Sequence, residues 1–532
     1  MNYPRIYFLS ESAITVEFGN VIDEKINQKL ITLHHLLQKQ PFDGFVGAIP
    51  AYTTLTIFFA GHNSSVVKEI LLKLLSTDLD SDIVESRVVK IPVHYDGPDL
   101  EHVAVENDIS KEEVIRIHQQ STYKVYMMGF LPGFAYMGVV NDKIATARKA
   151  SPRVNVEAGS VGIAGKQTGI YPLDSPGGWQ LIGKTSVKLF DLKKEDPFLL
   201  KAGDSVQFYS VEENEEADIN DDSPVETISE PDVIVIKSGI LSTIQDEGRT
   251  KFQSYGVPVS GAMDLRSFYA ANALAGNERN AACIECTMGG LQLQFKKNYV
   301  IVITGSGDAF INGRQIKTWQ PLKAFAKDVL EIKFNNEGTR SYVAVKGGFD
   351  TPLIMNSRSA YLKAGIGQTL KKEQGLKIGS SASVKSNADK IEALDYQANP
   401  FIRLYQGSHF YLMDKKSRNR FFNQSFCISN QSDRMGYRLE GDSLKLESAV
   451  ELLSSAVAKG TVQLTPSGQL IVLMSDCQTT GGYPRVAQVA AVDLDLLAQM
   501  KPGDNIQFTQ ISFEEAERLY LVEQKRIDEL FN

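Results

Sequence analysis

The sequence predicts a mainly β protein that opens with a small α/β unit, and three observations carry that expectation. From Val88 onward the chain runs in short alternating segments broken by glycine and proline, the pattern of barrels and sandwiches. The stretch Gly129 to Thr185 is dense in glycine, proline and aromatic residues, a composition that helices do not tolerate and flexible linkers do not carry. The pattern G-D-x-[VI]-Q-F occurs twice, at Gly203-Asp204-Ser205-Val206-Gln207-Phe208 and at Gly503-Asp504-Asn505-Ile506-Gln507-Phe508. Each copy falls near the end of one half of the chain, which points to related β units used more than once.

Residues 1–88 read as the α/β unit. Ala13 to Phe18 and Thr54 to Phe59 have strand character, and Asp23 to Gln38 and Val66 to Leu75 are amphipathic helices. Residues 89–211 read as a first barrel. Its segments Gly129 to Phe134, Ala158 to Gly165 and Ser175 to Trp179 become shaped loops of the kind that hold small molecules. Residues 212–231 are acidic and free of aromatics, and contain Asp221-Asp222-Ser223-Pro224, so they read as a linker. A new strand-rich half begins at Val233. The polar run Ser380 to Lys390 divides it into barrels over 232–385 and 386–532.

A chain of 532 residues exceeds what one hydrophobic core supports. Its formal net charge of −8 argues against a nucleic-acid surface. No apolar run approaches the roughly 18 residues of a membrane span, and the first residues carry no signal-peptide pattern, so a cytoplasmic location is expected. Four cysteines do not make a disulfide framework. Cys283 and Cys286 form one C-x-x-C pair without the second pair that a structural zinc site needs, and they read as thiols packed in a core. None of the seven histidines stands in a metal-binding pattern, so no metal site is expected.

Gly178-Trp179-Gln180-Leu181-Ile182-Gly183-Lys184-Thr185 matches the phosphate-loop pattern G-x-x-x-x-G-K-[ST]. Such a loop must lead from a strand into a helix whose N-terminus faces the phosphates. Here the interior is bulky and Ser186 to Phe190 alternates like a strand, so Lys184 reads as a strand residue.

Tyr126 to Gly138, Ala158 to Gly169 and Tyr171 to Thr185 resemble the B-subunit family of 5-oxoprolinase, also called allophanate hydrolase subunit 1, which includes a sporulation-kinase inhibitor. Four later segments resemble the companion C-subunit family, or allophanate hydrolase subunit 2: Thr243 to Arg249, Ser260 to Asp264, Ser432 to Arg438 and Gln478 to Pro484. The two resemblances cover nearly the whole chain. They imply tandem cyclophilin-like β-barrels in a fusion of two subunits. One loop departs from the C-subunit pattern: Gln368 stands where an arginine is usual, and no G-D follows.

The resemblance implies a cytoplasmic hydrolase that opens 5-oxo-L-proline to L-glutamate with ATP hydrolysis. ATP and Mg2+ are implied as cofactors, and the partner implied is a separate 5-oxoprolinase A subunit; a homo-oligomeric state stays open. Such a site needs a cation for the substrate carboxylate, donors for the developing oxyanion, and an acid or base. Arg153, Arg434 and Arg438 are candidate carboxylate clamps, and Gln167 and Tyr171 are candidate pocket residues. The amides of Thr479, Thr480, Gly481 and Gly482 offer an anion-binding concavity, or simply a tight turn. His118, Asp264 and Asp433 are the candidate catalytic groups, with Asp264 equally readable as the N-cap of a helix over 265–274. Two other readings stay open. One is a biotin-dependent carboxyltransferase acting on urea or a similar amide, as the carboxyltransferase region of urea carboxylase combines the same modules. The other is a regulatory inhibitor that binds a histidine kinase.

Overall fold

The computed structural model describes residues 4–76, 86–212, 230–380, 391, 396 and 401–531. The expected linker over 212–231 and the polar break Ser380 to Lys390 therefore lie almost wholly outside the described residues. The fold is mainly β, with 21% helix.

In the N-terminal unit, strands Arg5–Ser10, Ala13–Glu17, Thr54–Phe59 and Phe45–Pro50 form an antiparallel sheet in that order. The helix Glu24–Lys39 starts where the Asp23 carboxylate accepts from the Ile26 amide at 2.9 Å, satisfying a donor that the first helical turn leaves unpaired. Its Leu30, Leu33 and Leu37 recur at helical spacing and pack on Ile14, Val16, Leu55 and Ile57 of the sheet.

The next sheet has seven strands in the order Gln180–Lys184, Ser160–Ala164, Gln167–Ile170, Ala135–Gly138, Thr122–Met128, Ser205–Ser210, Val88–Val93. Its two edges meet at His94 and Lys184, which exchange backbone hydrogen bonds of 2.8 and 2.9 Å, so the sheet curls into a barrel-like form. Its core includes Ile91, Val125, Met137, Ile163 and Phe208.

The last unit is a closed seven-stranded barrel, from Phe401–Gln406 to Asn505–Gln510. The repeated G-D pattern does the same work in both barrels. Asp204 and Asp504 accept from the amides of Lys201 and Lys501 at 3.0 and 2.9 Å, across turns in which Gly203 and Gly503 take φ of 95° and 91°. Each turn launches a strand that pairs parallel with the first strand of its own barrel.

The unit between them differs from the barrel that the sequence suggested. A six-stranded and a five-stranded sheet enclose one core that includes Ile284, Leu293, Ile303, Leu330 and Val343. The chain crosses between sheets at left-handed glycines: Gly239 after Val233–Ser238, Gly289 and Gly290 after Cys283–Thr287, and Gly305 and Gly307 at the end of Tyr299–Gly305. Breaks at these points divide what would otherwise be one continuous ladder.

The C-terminal helix Phe513–Leu530 ties the units together. Phe513 stacks on Phe8 at 4.3 Å, Glu517 accepts from the Ser64 amide, and Glu523 takes Arg266 at 2.7 Å. No described helix is long and apolar enough to cross a membrane.

Candidate functional site

A cleft of about 1560 Å³ opens between the first and last barrels and draws its walls from both halves of the chain. Its first wall is the loop Gly129 to Phe134. The Gly129 amide donates to the Phe134 carbonyl, and Phe130 and Gly133 take φ of 67° and 81° to close so tight a turn. The Gly133 amide also donates to the Tyr255 carbonyl of the second half, which fixes the loop against it at 2.9 Å. Behind the loop, Phe134 packs edge-on against Tyr171 and Trp179, and Tyr136 reaches the cleft.

The opposite wall is the outer face of the last barrel. Val462, Leu464, Leu470, Val472, Tyr437 and Leu439 face its core. Strand alternation then turns their neighbours outward, and cross-strand pairing sets Arg438, Ile471, Gln463 and Arg485 side by side. The turn Thr480 to Gly482 closes over this row, near enough that a Cβ on Gly481 would meet Gln463 Nε2 at 2.7 Å.

Ser175, Gln463 and Thr480 line this cleft, while their Oγ, Nε2 and Oγ1 atoms are enclosed by protein and have no hydrogen-bond partner among the described residues. Leaving a buried polar atom unpaired costs about 1–3 kcal/mol. Arg148 and Arg438, from opposite halves, line the cleft and make no ion pair among the described residues; Arg148 stands 5.8 Å above the Trp179 ring. Together these groups suit a small polar anion.

Of the residues that the sequence singled out, Arg438, Thr480, Gly481 and Gly482 line the cleft. Thr479 is buried behind them, with its carbonyl accepting from the Val457 amide. Asp433 is half exposed beside the cleft, where it accepts from the Met435 amide and meets Lys363 at 3.4 Å. Tyr171 lies in the aromatic cluster behind the wall, and Gln167 lines a separate small cavity.

Four candidates stand apart from the cleft for clear physical reasons. His118 is fully buried in the first barrel, its ring nitrogens 2.8 Å from Tyr95 Oη and 3.0 Å from Thr168 Oγ1, and burial pushes its pKa down to about 3. It is enclosed in the barrel core, where burial favours its neutral form. Asp264 is the N-cap of the helix Leu265–Ala275, and its carboxylate is saturated by Ser267, Gln499 and Tyr396. Arg153 braces the first barrel by a double hydrogen bond of 2.7 Å to Asp99. Arg434 is buried between the two units of the second half, held by Asp476 at 2.9 and 3.0 Å and by Glu285 at 2.5 Å. The phosphate-loop match is a strand, Gln180–Lys184, and Lys184 pairs with Glu157 at 2.7 Å.

Sequence reasoning missed Arg148, Tyr136, Ser175 and Gln463. Tyr136 and Ser175 lie inside the family motifs, so the signal was there. Gln463 shows only through strand register, and Arg148 falls between motifs.

A carboxyltransferase-domain family model, subdomains C and D, matches residues 4–200, and its counterpart for subdomains A and B matches residues 255–510. The chain is 38% identical over 301 residues to the 5-oxoprolinase C subunit of Escherichia coli (strain K12), covering 56% of this chain and 96% of that one. It is 44% identical over 223 residues to the 5-oxoprolinase B subunit of Bacillus subtilis (strain 168), covering 39% of this chain and 92% of that one. The crystal structure of TTHA0988 superposes with a TM-score of 0.83 at 32% identity, covering 93% of this chain and 99% of that one.

Proposed function

We propose, since the chain belongs to the families of the B and C subunits of 5-oxoprolinase joined in one polypeptide, that it serves as the B and C component of an ATP-dependent 5-oxoprolinase. In this reading its barrels are cyclophilin-like, and it opens 5-oxo-L-proline to L-glutamate together with a separate A subunit. The observation that carries the reading is the cleft built from both halves, to which each contributes an arginine that makes no ion pair among the described residues.

A cyclic amide acid offers a carboxylate at one edge and a C=O/N–H edge at the other. Arg148 or Arg438 takes the carboxylate. In this reading the amide edge faces the wall that Ser175, Gln463 and Thr480 help to form. Phe130 and Tyr136 shield the ring from water. The cleft's remaining cations, Lys363 and Lys445, suit the phosphates of ATP. No group of three or more His, Cys, Asp or Glu among the described residues is arranged to hold a metal ion. In this reading Mg2+ enters with the nucleotide phosphates, as that ion commonly does.

The test is to mix the purified chain with its cognate A subunit, ATP, Mg2+ and 5-oxoproline. Equal amounts of glutamate and phosphate, absent with either protein alone, are expected. Complex formation without turnover would overturn the reading. A second reading, a biotin-dependent carboxyltransferase for urea or a similar amide, is favoured by the carboxyltransferase family models. It predicts product only with a biotinylated carrier.

A further inference from the structure

Three parts of the cleft wall are pinned by backbone hydrogen bonds. The loop Gly129 to Phe134 is closed by the Gly129 amide, Thr480 and Gly481 pair with Ala456 and Ser455, and the turn Thr465 to Gly468 is held by a 2.9 Å bond from the Gly468 amide to the Thr465 carbonyl. One stretch of the wall differs. Ser448 to Leu452 lines the cleft, belongs to no strand or helix, and makes no hydrogen bond, by backbone or side chain, among the described residues. Four of its five residues are exposed, among them Val450 at 37%, and Leu452 is half-buried.

Both ends of this stretch are fixed, and by different halves of the chain. On one side Leu446 bridges Met413, and the Glu447 amide donates to the Leu412 carbonyl at 2.9 Å. On the other, Leu453 packs on Ala51, Tyr52, Tyr126 and Met127 of the first half, and Ser455 begins the pairing with Gly481. An exposed backbone without hydrogen bonds has none to break when it moves, which sets it at the low-stability end of a fold. The cleft beside it, at about 1560 Å³, exceeds the roughly 300–1,000 Å³ of pockets that enclose a small ligand. Water left around an occupant weakens the pull of Arg148 and Arg438 on an anion.

We propose that Ser448 to Leu452 is a strap that folds inward over the occupant of the cleft, turning about Glu447 and Leu453. Closure carries Val450 and Leu452 onto the occupant, beside Phe130 and Tyr136 that line the same cleft, and expels water from around the arginines. The proposal rests on the cleft being the substrate site, and it adds the step by which that site closes.

The test is hydrogen exchange of the full chain, with and without 5-oxoproline and a non-hydrolysable ATP analogue with Mg2+. Calorimetry under the same conditions establishes that the ligands are bound. Without ligand, the amides of Ser448 to Leu452 exchange close to the rate of an unfolded chain. With ligand they slow by about tenfold or more, while the Gly468 amide, already bonded, does not change. Crystals of the liganded chain show Val450 against the ligand, with the Glu447 and Leu453 contacts intact. Bound ligand with unchanged exchange and an unmoved strap would overturn the proposal and leave the reading of the cleft standing. A chain that binds neither ligand would overturn it too, and turnover with the A subunit then judges the reading of the cleft separately.

Discussion

Gly129 of the first barrel lies so close to Thr480 of the last that a Cβ on the glycine would stand 1.9 Å from Thr480 Oγ1. The two loops that line the cleft from opposite halves thus touch through a glycine that has no room to be anything else. Gly129→Ala forces the loops apart, at a cost of about 1–3 kcal/mol for overpacking. Activity is expected to fall further than stability, because a shift of about 1 Å in a site can cost about a hundredfold in rate. Thermal unfolding and steady-state turnover check this together. Gly129→Ala/Thr480→Ala should recover part of the stability. Wild-type turnover in the single variant would show that this contact does not set the cleft.

Arg148 and Arg438 should separate cleanly from Arg434. The first two are exposed and make no ion pair among the described residues, so replacing either by alanine leaves stability within about 0.5 kcal/mol of wild type. If they hold the substrate carboxylate or the phosphates, KM for one of the two substrates rises by about 10–100-fold, as loss of a charge-assisted hydrogen bond worth about 1.5–3 kcal/mol requires. Kinetics with each substrate varied in turn assign the arginine to its ligand.

Arg434 holds a buried network. Arg434→Met leaves Asp476 without its partner and leaves Glu285 with Arg340 at 3.8 Å and Tyr342 at 2.7 Å. Removing one member of a buried pair costs about 3–5 kcal/mol. Burial raises the Glu285 pKa, but Arg434, Arg340 and the hydrogen bonds from Met263 and Tyr342 together lower it by more, so it stands below its ordinary 4.5. A depressed carboxylate contributes stability that is present above the unfolded-state value and is lost as pH falls through the folded-state value. The wild type should lose this part only below pH 4.5, and Arg434→Met should lose stability at higher pH. Denaturation midpoints at pH 7, 5 and 4 measure it.

Much of the fold was legible in the sequence because it rests on local rules. The Asp23 cap, the helical spacing of Leu30, Leu33 and Leu37, and the two G-D turns each act within a few residues. The site was legible only where its residues lie in loops whose glycines announce a special backbone, such as Gly129 to Gly133 and Thr480 to Gly482. Arg434 and Arg153 looked like ligand clamps because an arginine in a motif reads the same whether it meets a substrate or a buried carboxylate. Their partners Asp476, Glu285 and Asp99 are 42, 149 and 54 residues away along the chain. Nothing local signals such pairings. Gln463 faces the cleft through the register of three strands, which no single segment encodes.

His118 supplies the sharpest test of a residue whose chemistry is decided by burial. It stacks on Phe208 at 4.6 Å and is enclosed by Tyr95 and Tyr123, and desolvation alone holds its pKa at about 3. In the unfolded chain it titrates near 6.5, so below that pH the unfolded state binds a proton that the folded state refuses. This histidine's contribution to stability is therefore full above pH 6.5 and declines as pH falls towards 3. Between pH 6.5 and 5 the decline is about 2 kcal/mol, at about 1.4 kcal/mol per unit. His118→Phe removes the proton and should flatten that slope, although it strands the Thr168 and Tyr95 hydroxyls and lowers stability at pH 7. Its turnover at pH 7, corrected for folded protein, should remain close to wild type. A loss of turnover beyond about a hundredfold in folded protein would return His118 to the chemistry. An imidazole resonance that titrates between pH 5 and 8 would show that the ring is not enclosed as described.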